Sequence, residues 1–392
     1  MRRVQVAAAT WLTWLMSETS ALHVFTCRHT FEPALLAELA RAGYSDCSSP
    51  CAGAVLVQHD DQHDEAPDLT YALQALPCSH EVRGGSIKSL ASAAAEILDV
   101  EILRSLPRGS LVTHTLVPDL LRGVPPKKAK LLRRCETVAE MLVDGLRKRY
   151  PAARRKTTAE NGSGAGDGDG DGDGDGDAGN CDPPCAVLQL LLLEPELLVV
   201  SLALSEEHSS GLGHWPARMP AGLSPTDLDG DMPSSAYRKL LEAFAYSDAS
   251  PGASDTCVDL GACPGGWTAA LRRRGCVVTA VDRSELAPYL MADPMVTFVQ
   301  GDAFTFAPDA PVAWAVSDVI AFPERCLELL DRWCGQEWAQ RLVFTMKFKG
   351  AEPDFDSIDA AIALADRSGY RARAKHFFAN KNEVTLMLRK AS

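Results

Sequence analysis

Several features are missing from this sequence, and each absence excludes a class of protein. The glycine turn after the predicted strand 257–260 lacks the Gly-x-Gly-x-x-Gly fingerprint, which argues against a nicotinamide or flavin dinucleotide site. The twelve cysteines include no Cys-x-x-Cys pair. Their irregular spacing favours reduced thiols over a disulfide framework, and the pairs Cys47/Cys51 and Cys181/Cys185 make a weak case for zinc, so we expect no bound metal.

No hydrophobic run is long enough to cross a bilayer. The N-terminal run 4–16 has thirteen residues, whereas a spanning helix needs about 20. Arg2 and Arg3 precede it and no acid appears before Glu18, so we expect residues 1–20 to be a targeting segment or a disordered extension. The expected location is the cytoplasm, or a mitochondrion or plastid if this segment is a targeting signal, with no membrane partner.

The net charge of -13 does not exclude an RNA partner, because the charge is unevenly distributed. Eight acidic residues lie between Glu160 and Asp182, and without them the chain would carry -5. The segment from Arg122 to Lys156 contains twelve lysines or arginines against three acids, a local charge of +9. Such a segment is either a basic footprint for RNA phosphates or a solvated helix face with a charged linker.

The N-terminal half is predicted to hold two small α+β units. The first, 21–87, resembles a ferredoxin-like module, and the second, 88–204, resembles in its layout a THUMP domain, an RNA-binding module of RNA-modifying enzymes. The Asp-Gly repeats within 157–182 predict a disordered acidic insertion, since an EF-hand would need a terminal Glu and flanking helices. The prolines of 205–232 predict a linker. The elements expected from periodicity are strands 22–27, 53–57 and 110–117, helices 32–42, 69–76, 88–103 and 127–150, and a hairpin of 186–193 with 197–204.

From residue 233 to 392 the pattern alternates between strand and helix, which predicts an α/β domain with a parallel sheet. The last two strands, 371–378 and 383–388, are joined by only four residues. So tight a connection predicts an antiparallel hairpin at one edge of the sheet. We therefore expect a Rossmann-like sheet with an antiparallel edge hairpin, preceded by the two α+β units.

A glycine turn, 261–267, follows the first strand of this domain and opens a helix. Glycine lets a ligand approach the backbone closely, and α/β sheets bind nucleotide-like ligands at this end of their strands. Asp282 ends the next apolar run and Asp302 follows the third. The predicted cofactor-binding residues are Asp259, Gly261, Ala262, Cys263, Pro264, Gly265, Gly266, Trp267, Asp282, Asp302 and Asp318.

This turn resembles the S-adenosylmethionine (SAM) loop of FtsJ-type ribose 2′-O-methyltransferases. Lys239, Asp318, Lys347 and Glu383 fall in the order of that family's catalytic tetrad. The arrangement is most similar to the RlmM group, which methylates a cytidine ribose in large-subunit ribosomal RNA. The resemblance implies SAM as cofactor and RNA, most readily large-subunit rRNA, as partner. The Asp-Gly insertion and Phe348-Lys349-Gly350 depart from the family pattern and leave the target nucleotide open.

The chemistry explains why a tetrad is needed. A ribose 2′-hydroxyl is a poor nucleophile, so a base must remove its proton during attack on the methyl group. A lysine with a pKa of about 10.4 is protonated at neutral pH, but burial and a second lysine would lower this value, although the charges of Asp318 and Glu383 would oppose that effect. We therefore expect Lys347 to be the base, Asp318 to position it, and Lys239 and Glu383 to complete the site.

Other functions leave different signatures. Methylation of a base amino group would place Asn/Asp-Pro-Pro-aromatic where this chain has Ser317-Asp318-Val319-Ile320. Cytosine C5 methylation needs a cysteine nucleophile, and Cys263 in the SAM loop is badly placed for that role. The alternatives that stay open are a 2′-O-methyltransferase for tRNA or another RNA, and a non-catalytic RNA-binding ribosome-assembly factor.

Overall fold

The computed structural model describes residues 22–58, 68–98, 100–154, 185–205, 220–223, 229–247, 249–350 and 352–391. The expected N-terminal extension 1–20, the insertion 157–182 and most of the linker 205–232 lie outside the described residues. Two seven-stranded sheets form the frame, one in each half of the chain. Within the described residues, no helix is both long and apolar enough to cross a membrane.

The N-terminal half forms one continuous sheet rather than two separate ones. Its strand order is β2-β3-β1-β4-β7-β6-β5. Strand β4 joins the two predicted units, because its first part, 74–79, pairs with β1 and its second part, 80–83, pairs with β7. The elements are β1 Leu22–Thr26, α1 Glu32–Arg41, β2 Cys47–Cys51, β3 Ala54–Gln58, β4 Gln74–Arg83, α2 Ile87–Ile97, α3 Ile102–Ser105, β5 Leu111–Leu116, α4 Pro118–Leu121, α5 Leu132–Arg147, β6 Cys185–Glu194 and β7 Leu197–Ser205.

Most predicted elements of this half are present, but three helices differ. The helix expected at 69–76 is wrong: Lys375 donates to the carbonyls of Leu69 and Ala72, so this buried segment is held in an irregular conformation until Gln74 opens β4. The helix expected at 127–150 begins only at Leu132, because the preceding residue has a left-handed φ of 64°. The helix expected at 88–103 is split, since Leu98 is extended.

The C-terminal half confirms the predicted α/β fold and its edge hairpin. Its strand order is β10-β9-β8-β11-β12-β14-β13, with β14 antiparallel to both of its neighbours. The strand order reverses between β8 and β11, so a crevice opens at their carboxyl ends. The elements are α6 Tyr237–Ser247, β8 Thr256–Leu260, α7 Gly266–Arg272, β9 Val277–Asp282, α8 Pro288–Met291, β10 Val296–Gln300, β11 Val312–Ser317, α9 Pro323–Gly335, β12 Ala339–Lys347, α10 Phe355–Arg367, β13 Tyr370–Lys375 and β14 Glu383–Lys390.

The two halves are joined through a charged and aromatic contact at the end of β13. Asp68 of the N-terminal half pairs with Arg373 and lies 3.1 Å from the Lys375 ammonium. The Lys375 side chain is only 1% exposed. Beside this pair, the rings of Phe31 and His376 approach to 3.9 Å between centroids. Because a buried ammonium is costly without partners, this joint holds the halves in one arrangement.

Candidate active site

The glycine turn is shaped by close packing as well as by positive φ angles. Gly261 has a φ of 76°, and a Cβ there would lie 2.9 Å from the Cβ of Val319. Gly265 has a φ of 110°, and a Cβ there would overlap Leu290. Both glycines are therefore required by their left-handed backbone, and Gly261 is also required by its close contact with Val319.

This turn forms one wall of a cavity of about 710 Å³ at the carboxyl ends of β8 to β11. The predicted cofactor-binding residues line this cavity, except Gly265, whose backbone turns beside Leu290. The volume falls within the usual range for small-molecule sites, about 300–1,000 Å³. Other lining residues, which sequence reasoning did not single out, are Ser234, Ala236, Arg283, Gly301, Ala303, Phe304, Val319, Ile320, Ala321, Phe322 and Arg325.

Two acidic side chains that line the cavity are oriented by hydrogen bonds from backbone N–H groups. One oxygen of Asp282 accepts from the N–H of Cys263 and the other from that of Ser284, both at 2.9 Å. Asp302 accepts from the N–H of Phe304 at 2.9 Å and from the Arg283 guanidinium at 2.6 Å, and these two contacts lower its pKa. Each carboxylate retains lone pairs that can accept from ligand hydroxyl or amino groups.

Asp259 lies deeper, at the end of β8. It is 1% exposed and accepts a 2.6 Å hydrogen bond from the Thr268 hydroxyl. Burial raises the pKa of this carboxyl to about 7, although the Thr268 bond works in the opposite direction. A cationic ligand group near Asp259 would favour its ionised form.

The four predicted catalytic residues form a closed ring of ion pairs. The Lys239 ammonium lies 2.7 Å from both oxygens of Asp318 and 2.9 Å from Oε1 of Glu383. The Lys347 ammonium lies 2.8 Å from Oδ1 of Asp318 and 3.0 Å from Oε2 of Glu383. Helix α6 and the ends of β11, β12 and β14 each supply one member, so side chains up to 144 positions apart in sequence meet here.

The ring is mostly buried and strongly polarised. Lys239 and Glu383 are 8% and 7% exposed, whereas Lys347 is 21% exposed and faces the cavity. Burial alone would lower the pKa of Lys347, but Asp318 and Glu383 outweigh it and the pKa is raised. Burial opposes ionisation of Glu383, yet the two lysines lower its pKa to about 2. The expectation that burial and a second lysine lower the Lys347 pKa is therefore wrong, because the charges of the two neighbouring carboxylates outweigh burial.

One further residue of the site was missed from the sequence. Thr345 lies two positions before Lys347 on β12, and its hydroxyl donates a 2.7 Å hydrogen bond to Oδ1 of Asp318. Residues two apart on a strand share a face, so the spacing alone could have indicated it. Thr345 fixes the orientation of the carboxylate that both lysines share.

The N-terminal half also reaches towards the ring. Burial lowers the pKa of Arg28, whereas the negative charges of Glu242 and Glu383 raise it. The Arg28 guanidinium therefore lies close enough to interact electrostatically with both carboxylates. Glu242 on α6 accepts from the N–H of Ala379 at 3.0 Å, and burial raises its pKa to about 7. In the part of the chain that the structure describes, no group of three or more His, Cys, Asp or Glu side chains could hold a metal ion.

Comparison with known proteins finds similarity to methyltransferases, and the matched stretch contains Lys239 and Asp318 but ends before Lys347 and Glu383. Residues 232–332 match the FtsJ-like methyltransferase family. The chain is 35% identical over 174 residues to "Ribosomal RNA large subunit methyltransferase M" of Halorhodospira halophila, covering 44% of this chain and 51% of that protein. The protein of the same name from Laribacter hongkongensis is 36% identical over 185 residues, covering 44% and 52%.

The chain thus spans about half the length of the curated relatives that it matches. Among solved structures, a putative hemolysin from Streptococcus thermophilus superposes with a TM-score of 0.36 at 18% identity, covering 43% of this chain and 70% of that one. This likeness is too weak to bear on function.

Proposed function

We propose that the chain is a SAM-dependent methyltransferase of the RlmM type. It would methylate the 2′-oxygen of a cytidine ribose in large-subunit (23S-type) ribosomal RNA. One observation carries the proposal. A ring of two lysines and two carboxylates lies at the edge of the cavity formed by the glycine turn, so a proton acceptor adjoins a site for a nucleoside-like cofactor. An oxygen nucleophile requires such an acceptor at the point of attack.

The residues present fit SAM. Asp282 would accept from the ribose hydroxyls and Asp302 would accept from the adenine side, while the turn at Gly261 allows close approach to the backbone. Asp259 also lines the cavity, and its carboxylate would attract the ammonium group of the cofactor's amino acid end. When bound, SAM supplies an electrophilic methyl group on a positively charged sulfur.

Lys347 is the proposed general base. It starts as an ammonium ion, because its pKa is raised, and it must first lose a proton to solvent through its exposed side. The neutral amine would then accept the proton of the 2′-hydroxyl as that oxygen bonds to the methyl carbon and the methyl carbon–sulfur bond breaks, which would leave a neutral thioether on the cofactor. Lys347 ends as an ammonium again and releases the proton to solvent.

The other three ring members keep Lys347 in place. Asp318 holds the Lys347 nitrogen and is itself oriented by Thr345. Glu383, with a pKa of about 2, stays ionised at every working pH and holds the opposite side of that nitrogen. Lys239 bonds both carboxylates and limits their mutual repulsion.

We assign RNA recognition to the N-terminal half and to the basic segment between Arg122 and Lys156. The names of the bacterial relatives support a ribosomal RNA substrate. Lys127, Lys128 and Lys130 are exposed near the start of α5, where they can contact phosphates. The proposed location is a compartment with bacterial-type ribosomes: the cytoplasm, or a mitochondrion or plastid if residues 1–20 are a targeting segment.

Mapping 2′-O-methyl groups on ribosomal RNA tests this proposal. Protein-free large-subunit RNA would be incubated with SAM and the full chain, and the Lys347→Ala variant would serve as the control. We expect one new 2′-O-methyl cytidine that the variant fails to produce. Methylation of a base, methylation of tRNA in preference to large-subunit RNA, or the absence of any transfer would contradict it.

A further inference from the structure

In the short segment after Asp318, two large apolar side chains are exposed to an unusual degree. Ile320 is 90% exposed, the largest fraction among the big apolar side chains that the structure describes, and Phe322 is 52% exposed. They lie two residues apart and both line the cavity that contains Asp318 and Lys347. Large apolar groups in contact with water beside a reactive site indicate a surface that a ligand covers.

This segment is anchored at both ends. Val319 packs against Gly261, which has no Cβ to push it away. Pro323 then begins helix α9 directly after Phe322. The two exposed side chains are therefore presented on a fixed loop rather than at a frayed end.

Two cationic groups lie against aromatic rings of this cavity. The Lys349 ammonium lies 4.8 Å from the centre of the Phe322 ring and pairs with Glu324 at 3.1 Å. The Arg325 guanidinium lies 4.3 Å from the centre of the Phe304 ring. An aromatic face bordered by positive charge is how proteins bind single-stranded nucleic acid, with bases on the rings and phosphates near the cations.

We propose that Phe322 and Ile320 form the platform on which the base of the target nucleotide lies while its 2′-hydroxyl faces Lys347. The inference rests on the proposed function. The base is attached to the ribose carbon adjacent to the one that carries the 2′-oxygen. When the 2′-oxygen contacts Lys347 in the ion-pair ring, the nucleobase must therefore lie just outside that ion-pair ring, where Phe322 and Ile320 are. Lys349 is then next to the backbone of the same strand.

Binding of two single-stranded RNA probes tests the platform. One is an oligocytidylate, and the other is an oligomer of equal length whose residues keep the ribose 2′-hydroxyl but lack the bases. Phe322→Ala should weaken binding of the oligocytidylate roughly 5- to 100-fold, the scale of one lost stacked base, and leave the abasic probe unchanged. Phe322→Trp should restore binding of the oligocytidylate. Tyr289→Ala is a matched control, because Tyr289 is 53% exposed and lies outside this cavity.

Three results would overturn the platform. They are unchanged oligocytidylate binding in Phe322→Ala, equal weakening of both probes, and failure of the tryptophan variant to restore binding. Far-UV circular dichroism and a thermal melt of Phe322→Ala, both expected to match the unmodified chain, show that the variant is folded. A separate methylation assay of the unmodified chain keeps the two ideas apart. If no RNA is methylated but the base-dependent difference persists, the proposed reaction fails and the platform stands.

Discussion

Lys239 and Lys347 share one oxygen atom of Asp318. Oδ1 accepts from the Lys239 ammonium at 2.7 Å and from the Lys347 ammonium at 2.8 Å. With Glu383 completing the ring, two positive and two negative charges balance. When Lys347 gives up its proton the ring becomes negative, so the base and its partners respond to protonation as one unit.

Lys347→Ala should abolish methyl transfer and leave SAM binding intact. Loss of a general base lowers a rate by about 10²- to 10⁴-fold. A tritiated-methyl assay and isothermal titration with SAM measure the two properties. Lys390→Ala is the matched control, since Lys390 also lies on a strand and pairs with a carboxylate, Glu337, away from the cavity. Near-normal turnover of the Lys347 variant would disprove its role.

The rate of transfer should rise with pH. Lys347 must be neutral to act, and its pKa is raised above its ordinary value of 10.5, so the neutral fraction increases about tenfold per pH unit below that pKa. Glu383→Gln removes one of the charges that raise this pKa, and its profile should shift to lower pH. Single-turnover rates between about pH 6.5 and 9 at saturating SAM and RNA would show this. A flat profile would mean that Lys347 is not the base.

Asp282→Ala should weaken SAM binding by about 1–3 kcal/mol, the scale of a lost hydrogen bond to a charged group. The variant also releases the N–H of Cys263, which Asp282 holds at 2.9 Å, so part of the loss comes from a looser turn. Isothermal titration measures the change. Asp309→Ala, an exposed acid outside the cavity, should bind SAM normally. Equal affinities for the two variants would remove Asp282 from the cofactor site.

Charge reversal in the basic segment should raise the KM for RNA without changing SAM affinity. The substitutions replace Lys127, Lys128, Lys130, Arg133 and Arg134 by glutamate. Each lost phosphate contact should reduce the slope of log affinity against log salt by about 0.7–0.9. Arg134 should contribute least, because its Nε already donates to the carbonyl of Pro195.

The control for this experiment reverses Lys88, Arg104 and Arg108, which are exposed in the same half of the chain but lie outside the basic segment. We expect a much smaller change in KM and in salt slope. If both sets of reversals have equal effects, RNA is attracted by overall charge rather than by the basic segment.

Asp68→Asn should destabilise the joint between the halves. It leaves Lys375, 1% exposed, without its carboxylate. Breaking a buried pair costs about 3–5 kcal/mol, and we expect about 3 kcal/mol because Asp68 is 43% exposed. Urea denaturation measures the free energy of unfolding. Asp359→Asn, which breaks an exposed pair with Arg41, should cost less than about 1 kcal/mol.

The sheet of the C-terminal half was predictable because its signals are local. Apolar runs ending in Asp282 and Asp302, and the four-residue connection before Glu383, indicate strand ends and a hairpin without knowledge of distant contacts. Part of the ion-pair ring follows as well, because Asp318 and Lys347 lie at the carboxyl ends of two parallel strands, and such ends meet at one edge of a sheet. The identities of Lys239, Asp318, Lys347 and Glu383 came from a family resemblance, and the structure brings all four together.

What could not be predicted depends on contacts between distant segments. The segment after Asp68 has a helical pattern of apolar residues, but Lys375, about three hundred positions away, takes its carbonyl oxygens. The pKa of Lys347 depends on how close Asp318 and Glu383 come to its nitrogen, which sequence spacing does not specify. Similarly, the exposure of Ile320 and Phe322 is set by neighbours that no local pattern reveals.

The joint at Asp68 and Lys375 has a consequence for how the target would be chosen. Because the N-terminal half is built on one continuous sheet and Asp68 of that half contacts Lys375 on β13, the proposed RNA-binding segment lies at a fixed distance from Lys347. The chain would then select its target by distance. The methylated nucleotide would be the one that lies at this fixed distance from the RNA feature bound by the N-terminal half, and its base alone would not determine the choice.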